Sequence, residues 1–377
     1  MKIKKGLIFF IIISSAVFLE AQQVIRINNL PTDLDEQFNS ALKKGETFKD
    51  FWIGYSIERN SNTEIMVGSF SIDDKYEPVT LRDIISGDQK AIDYFSKHPQ
   101  TGKKSFTKSS FRMINGTSIN EKRNLDKETA ILFRYDENSR SIYDFREIGI
   151  ANLSINFELL GYPLIWLGKQ NNKNSVEFLF NFYDKQKDTE NKKDLIAAIG
   201  IHTDQGQVTT FLKNIIYSKA DPELRKNVGF WLGLQNNKEA LTALEKVINN
   251  DAVPEVRKNA VWGIGYIKLP EALDALVYIA KHNSEREVRK NAIYALGNKA
   301  VKKAEEALKD IVDNDPNVEI KKTAVYALAN NSEDAIPYLI KIAKTNSSLE
   351  VRKSAIYSLG NSDDERALDA LIELARN

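Results

Sequence analysis

The sequence contains no cysteine and only three histidines, and its 53 Lys and Arg face 52 Asp and Glu. Without cysteine there can be no disulfide, thiolate nucleophile, iron–sulfur cluster or Cys-rich zinc site. His98, His202 and His282 are far apart in the chain and stand in loop-like contexts. Each reads as a solvated surface residue, not as a base or a metal ligand. The charge balance argues against a chain built to grip a polyanion such as nucleic acid, which normally brings a basic excess. There is no G-x-S-x-G, no H-E-x-x-H, no P-loop and no dinucleotide fingerprint. Asp73-Asp74 and Asp363-Asp364 are adjacent acids in polar turns, which are usually just solvated. No catalytic residue, metal ligand or cofactor is assigned.

Long hydrophobic runs are scarce. The notable one is Gly6 to Leu19, preceded by Lys2, Lys4 and Lys5 and ending near Ala21. A membrane span takes about 17–25 apolar residues, so this run is short for one and reads as a secretory signal over 1–21. Export to the periplasm or the extracellular space is the expectation. Membrane attachment follows only if the segment is not cleaved.

What the chain does have is a repeat. Glu255-Val256-Arg257-Lys258-Asn259-Ala260-Val261-Trp262-Gly263-Ile264-Gly265 recurs as Glu287-Val288-Arg289-Lys290-Asn291-Ala292-Ile293-Tyr294-Ala295-Leu296-Gly297. Further copies run from Glu223 to Gly233, Glu319 to Ala329 and Glu350 to Gly360, and looser ones end at Gly200 and Gly168. Successive copies end 31 to 33 residues apart. Each unit holds a second apolar-periodic stretch, typified by Glu271 to Ala280, so it reads as two helices. The glycine closing each second helix suits a left-handed terminal residue. Such a pair cannot bury its apolar face alone, so neighbours stack into a mainly α, α-α superhelix. Arg366, Asp369, Glu373 and Arg376 lie along one face of the last helix and read as a polar end cap.

These units resemble the short HEAT-like repeats first described in phycobilisome lyases, with their Asp-Pro-x-Val-Arg-x-x-Ala-x-x-Ala-Leu-Gly pattern. The likeness covers about residues 159–377. It implies an α-solenoid whose second helices line the concave surface. It is unspecific for activity, since such repeats serve lyases, a hydroxylase, glycosylases and plain scaffolds. The hydroxylase holds iron with repeated His-Glu pairs, and this chain has none.

Stepping 100° per residue around the second helix separates two columns. Arg225, Arg257, Arg289, Lys321 and Arg352 fall inside the apolar arc. They read as partly buried stitches to loop carboxylates such as Asp221 or Asp315, in preference to a ridge for phosphate. Opposite the core lie Phe230, Trp262, Tyr294, Tyr326 and Tyr357, each four residues after Lys226, Lys258, Lys290, Lys322 and Lys353. These ten are the candidate binding residues. Rings supply rigid contact area and lysine stems can lie across them. The alternative is that the rings fill crevices between neighbouring helices, and ring exposure separates the two.

Residues 22–150 lack the repeat. Alternation at Phe51, Ile53, Tyr55 and Ile57, an extended run from Thr63 to Ile72, and runs 130–135 and 141–150 around a polar loop read as strands and a hairpin. Stretches 33–42 and 89–97 read as helices, and 98–128 as an exposed loop. This is a small α+β domain, followed from 151 to 377 by the solenoid. The apolar stretch 150–168 is expected to cover the solenoid's first face. The function expected is a non-enzymatic scaffold binding a protein or peptide on the concave face. The alternative is a bilin-lyase-like enzyme, resting on the resemblance alone.

Overall fold

The computed structural model describes residues 23–59, 63–67, 79–97, 111–115, 127–154, 159–203, 205–299, 301–330 and 335–376. Residues 1–21, read above as a signal segment, and His98 and Asp73-Asp74 lie outside them. The chain forms two compact units, Met1–Ser56 with Asn62–Lys169, and Ile57–Ser61 with Gln170–Asn377.

In the first unit the elements are β1 (Val24–Arg26), α1 (Leu34–Gly45), β2 (Asp50–Glu58), β3 (Thr63–Val67), α2 (Leu81–Ser86), α3 (Gln89–Lys97), β4 (Phe111–Asn115), β5 (Glu128–Asp136), β6 (Glu147–Asn152) and β7 (Leu164–Lys169). The described strands form one seven-stranded sheet in the order β1-β7-β2-β5-β6-β3-β4. β7 pairs in parallel with both β1 and β2, and β5 pairs antiparallel with β6 as the expected hairpin. Asp33 caps α1 by accepting from the Glu36 amide at 3.0 Å, with acids in its first turn and Lys43 and Lys44 in its last. On one face of the sheet Phe38 of α1 meets Tyr55 and Phe133 edge-on. On the other, Trp52, Leu132, Leu164 and Trp166 are buried with Leu81, Ile84 and Ala91.

Two sequence expectations change here. β4 lies inside the stretch read as an exposed loop, where it pairs with β3. The domain boundary moves from 150/151 to Lys169, because Leu164–Lys169 is a strand with parallel partners on both sides. The copy read as ending at Gly168 is therefore not a helix, and the stretch 150–168 belongs to the sheet unit. Gly168 does have a positive φ, 79°, but within β7. A strand covered on both faces shows the same unbroken apolar run as a buried helix.

The second unit is a helical array, consisting among the described residues of α4 (Asn172–Lys185), α5 (Thr189–Gly200), α6 (Gly206–Ile216), α7 (Pro222–Gln235), α8 (Lys238–Asn250), α9 (Pro254–Tyr266), α10 (Pro270–His282), α11 (Arg286–Gly297), α12 (Lys302–Asn314), α13 (Val318–Ala329), α14 (Ile336–Thr345), α15 (Leu349–Gly360) and α16 (Glu365–Arg376). That is six pairs and one further helix. The even-numbered helices are the first of each pair and the odd-numbered ones the second. Asp221-Pro222 starts α7, with the Asp221 carboxylate accepting from the Glu223 amide at 2.8 Å.

The second helices pack directly on one another, and their glycines are the reason. The expected left-handed role is not found, since none of Gly200, Gly233, Gly265, Gly297 and Gly360 has a positive φ. A β-carbon on Gly233 would stand 2.2 Å from the Gly263 carbonyl oxygen, and one on Gly263 would stand 2.3 Å from that of Gly229. At Gly200 the obstacle is the Trp231 ring, and at Gly297 it is Ala327. Gly233→Ala is expected to cost the array about 2 kcal/mol, since a clash with fixed backbone outweighs the roughly 1 kcal/mol that alanine gains in a helix. Gly360, with nothing within 4 Å of its β-carbon, should accept alanine with a gain of up to about 1 kcal/mol. Thermal unfolding of both variants checks this. Equal losses would contradict it.

α16 departs from the polar cap. Its Arg366 pairs with Asp364 and its Glu373 with Lys344, yet Leu368 and Ile372 are exposed beside them. The equivalent interior positions, Leu273 and Val277, are half-buried by a following pair.

Candidate functional site

Helical periodicity places the ten candidate residues on one face of five consecutive second helices. Val256, Ala260, Val261 and Ile264 of α9 are buried, which turns Lys258 and Trp262 outward. The same geometry presents Lys226 and Phe230 on α7, Lys290 and Tyr294 on α11, Lys322 and Tyr326 on α13, and Lys353 and Tyr357 on α15.

None of the five rings is buried. Tyr294 is 38 % and Tyr357 65 % exposed, and Phe230, Trp262 and Tyr326 are half-buried. The rings also reach their neighbours. Phe230 meets Tyr266 of α9 edge-on at 4.9 Å, Trp262 Nε1 donates to Asn291 Oδ1 of α11 at 2.8 Å, and Tyr326 meets Tyr357 edge-on at 6.2 Å. They are at once crevice contacts and exposed surface, so the two sequence readings both describe part of the geometry.

The lysines are less free than the sequence reading supposed. Lys226 pairs with Glu223 at 2.6 Å, Lys258 with Glu255 at 3.0 Å, Lys290 with Glu287 at 3.3 Å and Lys322 with Glu319 at 3.0 Å. Lys193 of α5 also reaches Glu223 at 3.9 Å, and the fields of Lys226 and Lys322 act on Glu255 and Glu350 of the next repeats. The hydrogen bond from Lys258 holds the Glu255 carboxyl below its usual range, and the bond to Glu319 raises the Lys322 ammonium. The result is a ribbon of alternating charge beside the rings, not a basic stripe. The signal was present in the sequence as Glu three residues before each of the five Lys.

The inner column stitches repeats. Arg225 pairs with Asp251 and donates to Ala220 O at 3.2 Å, and Arg257 reaches Asp251 O at 2.5 Å and Glu285 at 2.6 Å. Arg289 pairs with Asp315 and donates to Ala280 O at 2.8 Å. Each arginine thus binds the loop of the following repeat. The expected partner Asp315 is found, whereas Asp221 is occupied in capping α7. Lys321 binds the Asp313 carbonyl in the last turn of α12, and Arg352 binds the Asn346 carbonyl just after α14, each within its own repeat. These cations face loops, so no ridge for phosphate results.

Two buried polar clusters escaped the sequence reading. His202, expected to be a solvated surface residue, is instead fully buried, with Nδ1 3.2 Å from Ile199 O and Nε2 3.0 Å from Ser175 Oγ. A carbonyl only accepts, so Nδ1 carries the proton and Nε2 accepts from the Ser175 hydroxyl. Burial lowers the imidazole to about 4, which keeps it neutral. Gln235 Nε2 donates to Gly200 O at 2.9 Å and Arg59 Nε to Ile201 O at 3.1 Å. Three successive carbonyls at the end of α5 are thus each bound by a side chain. The Ser–His contact is nucleophile-like in composition but sealed, since Ser175 is buried too. In the sheet unit Arg134 bridges Asp50 at 2.8 Å and Glu147 at 3.3 Å, and burial raises the Glu147 carboxyl to about 7.

Residues 209–297 and 305–377 match the family model for HEAT repeats. A search of curated proteins finds no match. Among solved structures, the chain is similar to a chain of the complex of CpcE and CpcF of phycocyanin lyase from Nostoc. The identity is 20 % and the TM-score 0.32, over 41 % of this chain and 99 % of that one. It is also similar to human deoxyhypusine hydroxylase in complex with glycerol, at 18 % identity and TM-score 0.25, over 54 % of this chain and 78 % of that one.

Proposed function

We propose that this chain, whose helical array is a HEAT-like repeat solenoid, is an exported, non-enzymatic scaffold that binds a protein or peptide on its second-helix face. The observation that carries the reading is the recurrence of one exposed arrangement on five helices: a ring, a lysine four residues before it and, on α7, α9, α11 and α13, that lysine's glutamate partner. Large rings at the surface with few rotatable bonds bind a partner at low entropic cost, and the charge ribbon sets register more than affinity. The sealed Ser175–His202 contact favours a structural role over a catalytic one. The Lys-flanked apolar run Gly6 to Leu19 supports export to the periplasm or the extracellular space.

The test is cross-linking in cells followed by mass spectrometry, comparing wild type with Trp262→Ala/Tyr294→Ala/Tyr326→Ala. Each lost ring contact is worth about 1–2 kcal/mol, so the yield of the principal partner should fall at least about tenfold. An unchanged yield from a folded variant would sink the second-helix face as the binding surface.

A further inference from the structure

Directly after each lysine of the ring face stands a third column. It is an amide on three consecutive second helices, Asn227 on α7, Asn259 on α9 and Asn291 on α11, and a hydroxyl on the next two, Thr323 and Ser354. The two hydroxyls are buried and donate back to their own helices, to Glu319 O at 2.8 Å and Glu350 O at 3.1 Å. Asn259 and Asn291 use Nδ2 in the same way, on Glu255 O at 2.9 Å and Glu287 O at 2.7 Å.

The amides differ at the oxygen. Asn291 Oδ1 accepts from the Trp262 indole, one second helix earlier. The ring in that place before Asn259 is Phe230, which has no polar hydrogen to give. Asn259 Oδ1 therefore has no donor among the described residues. Before Asn227 the position is held by Ala197 of α5. The Asn227 side chain makes no hydrogen bond among the described residues, and its Oδ1 is buried. A carbonyl oxygen shielded from water without a donor is costly, and a donor from another molecule relieves it. The nearby cations do not, because Lys226 and Lys258 are held by Glu223 and Glu255.

Taking the second-helix face as the binding surface, we infer that the partner crosses α7 and α9 as an extended main chain. Its N–H groups bond Asn227 Oδ1 and Asn259 Oδ1 while one of its side chains lies on Phe230. For Asn227 this takes a turn of the side chain to the arrangement of Asn259, with Nδ2 on Glu223 O and the oxygen outward. Main-chain donors suit the spacing. The glycine contacts hold α7 and α9 near the low end of the usual helix separation of about 8–10 Å. N–H groups on one edge of an extended chain recur about every 6.8 Å, and two amide side chains cover the difference. Neutral oxygens also favour neutral donors, since a cationic side chain bonds more strongly to the carboxylates of Glu223 and Glu255 on the same helices.

Recognition through the main chain tolerates many side chains, so a plain extended probe serves. The octapeptide (Lys-Val-Glu-Thr)2, acetylated and closed as the dimethylamide, is compared with the same peptide methylated at every peptide nitrogen. Binding of the labelled peptides to the full chain is read by fluorescence anisotropy. The unmodified peptide should bind with a dissociation constant below about 1 mM, and the methylated one at least about tenfold more weakly. Asn259→Ala should weaken the unmodified peptide about threefold to tenfold, whereas Asn291→Ala, whose acceptor is already engaged, should stay within about twofold of wild type. Phe230→Trp separates a donor effect from a contact effect. It enlarges the ring yet should weaken the peptide at least about threefold, because the indole gives Asn259 the bond that Trp262 gives Asn291. The inference fails if the wild type ignores the unmodified peptide or takes both equally, if Asn259→Ala binds like wild type, or if a folded Phe230→Trp binds as well or better. If the triple ring variant loses its cross-linked partner while Asn259→Ala and Phe230→Trp keep the peptide, the main-chain reading falls and the binding surface stands. If the triple ring variant keeps its partner, the surface falls and this inference with it.

Discussion

Arg289→Ala should destabilise the array by about 3–5 kcal/mol, the cost of leaving a buried charge without its partner. The guanidinium is only 13 % and the Asp315 side chain only 7 % exposed, so little water can enter to replace it. Arg289 also binds Ala280 O, and its loss frees that carbonyl in the last turn of α10 as well. The pair joins one repeat to the next, so both lose support together. Lys321→Ala, at the equivalent position two helices on, should cost less than about 1 kcal/mol, because Lys321 gives one half-exposed hydrogen bond to Asp313 O. Denaturant unfolding followed through the array tryptophans Trp231 and Trp262 compares the two. Equal effects would show that the column is surface decoration. The double variant Arg289→Ala/Asp315→Ala should recover part of the loss, since the buried charge is then gone.

Acidity should act on the two units in opposite directions. His202 is lowered to about 4 in the folded array from an ordinary value near 6.5, so the unfolded chain takes up its proton first as the pH falls. Its contribution to array stability is fully present above pH 6.5 and is lost on descending to pH 4, by about 3 kcal/mol. Glu147 is raised to about 7 from an ordinary value near 4.5, so its unfolded form loses the proton first as the pH rises. The sheet unit should therefore be favoured below pH 4.5 and lose about 2–3 kcal/mol between pH 4.5 and 7 from this group. Hydrogen exchange resolved by peptide reads each unit separately. His202→Gln should flatten the array's pH dependence and Glu147→Gln that of the sheet unit. Parallel slopes in wild type, unchanged by either variant, would overturn the assignment.

The array was legible because its chemistry repeats. A Glu-x-Arg-Lys opening with apolar residues at helical spacing, recurring every 31 to 33 residues, leaves little choice of architecture. The arginine stitches followed from the angular position of Arg257 and Arg289 in the apolar arc. What stayed hidden depends on contacts distant in sequence. Nothing in Ile201-His202-Thr203 reveals that Ser175 and Arg59 will close over that end of α5. Leu164 to Lys169 reads like another helix until its two parallel partners are known. The glycines were noticed but given a local, conformational role. Their real constraint is the backbone of the adjacent repeat 30 residues away, as between Gly233 and Gly263. The ring and lysine columns were read at the right positions, yet the glutamates that turn the lysines into a neutral ribbon changed their meaning. A neutral ribbon with exposed rings suits a partner recognised by shape and register, and it should bind with little salt dependence.

The most direct measurement places a photo-crosslinking phenylalanine analogue in living cells at Tyr294, on the second-helix face, or at the exposed Lys341 of α14. If the second helices carry the binding surface, the Tyr294 position forms a discrete adduct with a partner protein and the Lys341 position does not. That adduct should disappear when Trp262 and Tyr326 are both changed to alanine. Adducts of equal yield at both positions, or none at Tyr294 when Lys341 gives one, would contradict the account.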